Sequence, residues 1–244
     1  MLSVALTSGV IATSALVPGI AAAQLAGSIG VANMYLWRGT NLTPGGGQVW
    51  GELKYSHESG AFAALWTSPS TPDGHETDLY FGYNTKVQGI GLGITFWEIM
   101  YPEMSVSNDD STKANFVDWA DTDVQELQLT ASYGPVAVNY YLGLDVPVNG
   151  TGSVPSGADE NNYLTIDATF GEFKATYGMW DKESNAADVD SYSHLTLMYM
   201  PKPELSFGVN FTMSDKNDAA GNPITEEGPL SYAGYTWSFD LSKK

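Results

Sequence analysis

From Gln24 to Leu241, apolar and polar side chains alternate one by one over segments of about ten residues, the length a strand needs to cross a bilayer. Leu79, Phe81 and Tyr83 alternate with Asp78, Tyr80, Gly82 and Asn84. Leu127, Leu129, Ala131 and Tyr133 alternate with Glu126, Gln128, Thr130 and Ser132, and Ala233, Tyr235, Trp237, Phe239 and Leu241 with Gly234, Thr236, Ser238 and Asp240. A period of two places one set on each face of a strand, so the chain is all-β with one apolar and one polar surface. Twelve strands are predicted, near 27–37, 48–57, 61–67, 77–86, 90–100, 123–133, 136–145, 162–170, 172–180, 191–200, 204–213 and 231–241.

The connections alternate too. Short ones fall at His57–Gly60, Val87–Gly89, Gly134–Pro135, Gly171 and Pro201–Pro203. Long ones fall at Gly39–Gly47, Ser68–Glu76, Pro102–Thr122, Val146–Asn161, Asp181–Asp190 and Ser214–Leu230. A strict long–short order is the mark of a transmembrane antiparallel up-and-down β-barrel, with short periplasmic turns at one rim and long extracellular loops at the other. Charge divides the same way. Segments 68–76, 102–121, 145–160, 181–190 and 214–228 hold 18 acids and 3 bases, against a net charge of -18 for the chain. Lys54, Lys86, Lys174, Lys202, Lys243 and Lys244 lie near the other rim or the C-terminus. With no basic stripe, a nucleic-acid partner is excluded. The competing fold is a secreted β-sandwich whose apolar faces pack on each other.

Residues 1–23 carry no charge, are broken by Pro18-Gly19, and end in Ala21-Ala22-Ala23 before Gln24. This reads as a signal peptide, with the barrel occupying 24–244, although the usual basic start is missing. Aromatics cluster at strand ends. Tyr35, Trp37, Trp66, Trp97, Tyr101 and Trp180 lie toward the long loops, and Tyr55, Tyr83, Tyr133, Phe170, Tyr199 and Phe239 toward the other rim. Two membrane-interface girdles are expected from them.

Tyr35-Leu36-Trp37-Arg38-Gly39, closing the first strand, resembles the start of the TorF-type porin family of proteobacterial outer-membrane barrels, long carried as conserved hypothetical proteins. Gly51–His57, Ser59–Phe62, Trp66–Ser68 and the Glu126–Gly134 stretch are similar as well. The resemblance implies an outer-membrane barrel and a pore, without a defined solute or catalytic residues. The end Trp237–Lys244 departs from the terminal aromatic common in such barrels.

Catalytic signals are sparse. Ser193 and His194 are adjacent, so they face opposite sides of a strand and cannot act as a pair; His57 lies beside a short turn and His75 in an acidic loop. Asp109-Asp110, Asp121/Asp123, Asp188/Asp190 and Asp215/Asp218 are oxygen-rich but lack the spacing of a calcium loop, so they read as solvated loop charge facing lipopolysaccharide. No enzyme, metal or cofactor is expected, and the oligomeric state is open. With apolar faces toward lipid, the pore-lining set is Glu52, Lys54, Asp78, Asn84, Glu126, Gln128, Asn139, Asp145, Asp167, Lys174, His194, Asn210 and Asp240, joined by Arg38 although strand 27–37 changes phase near Asn33. The expected function is passive diffusion of small hydrophilic solutes with a cation preference; the alternative is a non-conducting structural or adhesive barrel filled by a polar network. On this topology, an epitope tag near Asn108 binds antibody on intact cells and one at Lys202 does not. Labelling at Lys202 instead would mean an inverted topology or an odd strand count.

Overall fold

The computed structural model describes residues 24–71, 74–100, 124–144, 161–182, 192–213 and 228–242. The expected signal peptide, Asp145, Tyr101 and most of the long connections, with their acidic clusters, lie outside them. The strands are β1 (Gln24–Ala32), β2 (Leu36–Trp37), β3 (Thr40–Asn41), β4 (Gln48–Ser56), β5 (Ala61–Thr71), β6 (Gly74–Val87) and β7 (Ile90–Met100). They continue with β8 (Val124–Tyr133), β9 (Val136–Leu144), β10 (Asn161–Phe170), β11 (Phe173–Lys182), β12 (Tyr192–Lys202), β13 (Leu205–Thr212) and β14 (Leu230–Asp240). Each barrel strand pairs antiparallel with its sequence neighbour, and β1 pairs with both β4 and β14, so twelve strands close on themselves. The short pair β2–β3 stands apart as its own hairpin.

The alternation sets which way each side chain points. Ile94, Leu129, Ile166, Leu197 and Phe207 are exposed on the outer wall, whereas Gln128, Asn139 and Asn210, in the opposite phase, are at most 1% exposed. That is a soluble protein turned inside out, and it suits a wall bathed in hydrocarbon.

Two sequence expectations change. Strand 27–37 ends at Ala32, and the chain leaves the wall at Asn33, whose side chain bonds both Ser231 and Ala233 of β14. The phase change is thus the end of the strand, not a bulge. The expected loop 68–76 is largely strand, since β5 and β6 pair from Ser68↔Glu76 to Thr71↔Gly74 across a register shift. A hairpin that projects beyond the lipid needs no apolar face, so its polar residues imitate a loop.

The girdle prediction divides. Tyr55, Tyr83, Tyr133, Phe170, Tyr199 and Phe239 are exposed on the outer wall near the short turns. Tyr35 and Trp66 are buried inside the barrel, and Trp37 and Trp97 pack against the same cluster. Trp66 and Trp97 share the phase of the polar set, which points inward, whereas Tyr35 and Trp37 have left the wall with the inserted segment.

Placing an arginine at Leu129, at mid-strand on the outer wall, is expected to cost about 2–4 kcal/mol of barrel stability, whereas Asn84→Ala on the inner wall changes it little. Denaturant unfolding in lipid or detergent measures both. Equal effects would mean the walls are assigned the wrong way round.

Candidate functional site: an arginine held inside the barrel

The segment after β1 crosses the lumen, and its residues alternate between two sides. Tyr35 packs with Trp50, Phe62, Ala64, Trp66 and Tyr80, joined by Trp37 and Trp97. Met34 and Leu36 pack with Met198, Leu230 and Tyr232. The hairpin pairs Leu36↔Asn41 and Trp37↔Thr40, leaving Arg38-Gly39 as a two-residue turn. Both turn residues have positive φ, 46° and 80°, as the tight hairpin turns with two left-handed residues require. Glycine meets this demand freely and arginine does not. Gly39 is also needed for space, because a Cβ there would lie 2.5 Å from the His194 ring. Leu42 N–H donates to the Tyr35 carbonyl at 2.8 Å and closes the hairpin base.

At its tip, Arg38 is 4% exposed. Its Nη2 donates to Glu126 Oε2 at 2.5 Å. The guanidinium carbon lies 4.6 Å from the ring centroids of Trp37, Tyr163 and Trp180, and 5.1 Å from that of Tyr141. Arg38 Nε and Nη1 find no hydrogen-bond acceptor among the described residues. The charge is therefore held by one carboxylate and the negative faces of four rings. The turn's backbone is fastened as well: Tyr192 Oη donates to the Arg38 carbonyl at 2.7 Å, and Asn210 Nδ2 to the Gly39 carbonyl at 2.8 Å.

A polar belt on β8–β13 supports the tip. Asn139 Nδ2 donates to Thr165 Oγ1 and to Asp167 Oδ2 at 2.9 and 3.0 Å, while its Oδ1 accepts from Gln128 and Thr130. Asp167 also accepts from Thr176 and pairs with Lys174 at 3.0 Å. His194 Nε2 bonds Tyr163 Oη at 2.7 Å, and its Nδ1 lies 3.1 Å from both Thr196 and Asn210. Between tip and belt remains a cavity of about 20 Å³ bordered by Arg38, Tyr141, Asp167, Lys174 and His194, room for roughly one water.

The other residues named from sequence sit elsewhere on the inner wall. Glu52 accepts from Tyr80 Oη, and Lys54 lies over the rings of Phe62 and Tyr80 at 4.7 and 5.6 Å. Asp78 is buried, and Asn84 is half-buried on the inward phase of β6. Asp240, at the end of β14, accepts from the Ser242 N–H. Arg38 is inside the lumen but on the inserted hairpin, not on a wall strand. Sequence reasoning missed the aromatic cage and Glu76, which accepts from Tyr35 Oη at 2.9 Å. The signal was the phase: Tyr141, Tyr163 and Trp180 share it with Asn139, Thr165 and Thr176.

Fold and site together define a closed twelve-stranded transmembrane barrel with an arginine-tipped hairpin turned into its lumen. The chain belongs to the family described as "Bacterial protein of unknown function (Gcw_chp)", which it matches over residues 19–222. No curated protein matches it. Among solved structures it is similar to a chain from "Unveiling the Mechanism Behind the in-meso Crystallization of Membrane Proteins", with TM-score 0.51, 10% identity, and 91% of this chain and 85% of that one covered. It is also similar to a KdgM porin, with TM-score 0.48, 12% identity and coverage of 88% and 99%. A mutant Rh. blastica porin follows at TM-score 0.36, 12% identity and coverage of 79% and 55%. At such identities the likeness is one of fold.

Removing one partner of the buried pair strands the other charge. Arg38→Met or Glu126→Leu alone is expected to cost about 3–5 kcal/mol, while the two together recover much of that loss. A double-mutant cycle by denaturant unfolding measures the coupling, and additive losses would show that the pair is not coupled.

Proposed function

We propose that this chain is a porin-like outer-membrane channel for small hydrophilic solutes, with a preference for cations, exported with residues 1–23 as a cleaved leader. The observation that carries this reading is a closed barrel with an apolar outer wall and a polar inner one, the construction of a water-facing path through lipid. The membrane setting of a structural neighbour agrees with it, and so does the resemblance of Tyr35–Gly39 to the TorF-type porins. The Gram-negative outer membrane is then its location, with lipopolysaccharide as the lipid facing the long loops.

On this reading the hairpin tip sets the constriction. The cation preference comes from acid on both sides of it. The outer segments carry the excess counted above, and inside, Arg38 and Lys174 are engaged by Glu126 and Asp167. Between low-dielectric walls an excess of one sign of charge focuses the field along the path. The second reading is the non-conducting structural barrel, favoured by the burial of Gln128, Asn139 and Asn210.

Reversal potential in a planar bilayer under a salt gradient tests both. Cation selectivity is expected at low ionic strength, fading as salt shortens the screening length to about 10 Å and below. An anion-selective reversal potential would refute the charge argument, and silence at every voltage and salt would leave the structural reading.

A further inference from the structure

Arg38 and Trp37 belong to the hairpin, but the rest of the cage belongs to the wall. Glu126 stands on β8, Tyr141 on β9, Tyr163 on β10 and Trp180 on β11, so the strand register fixes three rings and a carboxylate around one point. Each of these four side chains is carried by a wall strand rather than by the hairpin. The contacts also make little use of arginine's fork of donors. Nη2 meets Glu126, while Nε and Nη1 have no acceptor among the described residues and the guanidinium carbon lies over the rings. A site that grips charge by π-faces and one carboxylate suits any small, weakly hydrated cation. A metal ion would need several oxygen ligands, and no group of three or more ligating side chains exists among the described residues. An anion would meet Glu126.

The occupant is tethered through a strained turn. Arg38 has φ 46°, and hydrogen bonds from Tyr192 and Asn210 to two carbonyls hold the tip in place. We propose that the wall cage of Tyr141, Tyr163, Trp180 and Glu126 is a receptor site for small organic cations, of the guanidinium or quaternary-ammonium class, which Arg38 fills as a built-in ligand. This rests on the proposed channel only for the route by which such cations arrive, and it names them as the class the cage accepts once the arginine is gone.

Arg38→Gly empties the site and relieves the left-handed strain. Purified wild-type and Arg38→Gly barrels are titrated with guanidinium chloride and with tetramethylammonium chloride, against potassium chloride at matched ionic strength. Tryptophan fluorescence and the temperature of heat-modified gel migration report binding, and bilayer recording reports block. Arg38→Gly should respond in the millimolar range, wild type and Arg38→Lys should not, and adding Glu126→Gln should weaken the response roughly tenfold or more. An Arg38→Gly barrel that treats the organic cations like potassium, or responds equally without Glu126, overturns the proposal. If Arg38→Gly does not assemble in potassium chloride, assembly restored by millimolar organic cation supports the site, and failure with the cation present overturns it. Binding without conduction would refute the channel and keep the cage. Conduction without binding would do the reverse.

Discussion

In hydrocarbon every backbone N–H and C=O must find a partner within the protein, and a sheet achieves this only by closing. Here β1 supplies the closure, bonding β4 along one edge and β14 along the other. The rest of the structure follows from that ring. Its outer surface must be apolar, with tyrosines such as Tyr55 and Tyr133 toward its rim, so the charged and amide side chains go inside. Twelve strands enclose more space than the eight whose side chains fill a small barrel, and less than the sixteen that leave a wide channel. Toward the long-loop end the wall side chains do not fill that space alone. The segment after β1 folds inward and completes it, sending Tyr35 to one side and Leu36 to the other.

An interior built this way can hold a charge that an ordinary core could not. Burying a guanidinium without compensation is prohibitive, and Glu126 alone gives a single contact. Four ring faces supply the rest without donors or acceptors of their own at the contact. The belt from Gln128 to Asn210 keeps this arrangement rigid, because each amide spans neighbouring strands. Asn139 links β8 to β10, and Asn210 ties β12 and β13 to the hairpin.

Most of the wall was legible because lipid enforces the alternation. Strand 90–100 was read to the residue as Ile90–Met100, and most of the others to within one or two. Reading failed where the lipid constraint lapses. At 34–37 the chain is inside the barrel, packed on both sides, so apolar and polar positions carry no orientation. At 68–76 a hairpin continues past the membrane with polar residues on both faces. The aromatics failed for a different reason. A ring near a strand end suits an interface girdle or a lumen equally, and only its phase against the polar residues separates Tyr133, which faces out, from Tyr141, which faces in. The inward polar set followed from phase alone. The partner of Arg38 did not, since Glu126 is 88 residues away and the contact depends on how far the hairpin reaches.

The five residues Tyr35-Leu36-Trp37-Arg38-Gly39 then have separate physical reasons for being what they are. Tyr35 needs a large ring for the cluster around Trp66, and a hydroxyl that reaches Glu76. Leu36, 2% exposed, needs to be apolar because it enters the cluster with Met198 and Tyr232. Trp37 meets Trp180 edge-on and offers its own face to the neighbouring guanidinium. Gly39 is required twice, by its positive φ and by the His194 ring. Arg38 is the one residue of the five that works against its local conformation. A side chain with φ 46° is strained, and its charge has to be desolvated. Nothing in hairpin geometry asks for arginine there, since Asn, Asp or Gly would turn the chain more easily. The reason must lie in the cage that receives it, and strain of this kind persists where the surroundings hold it in place.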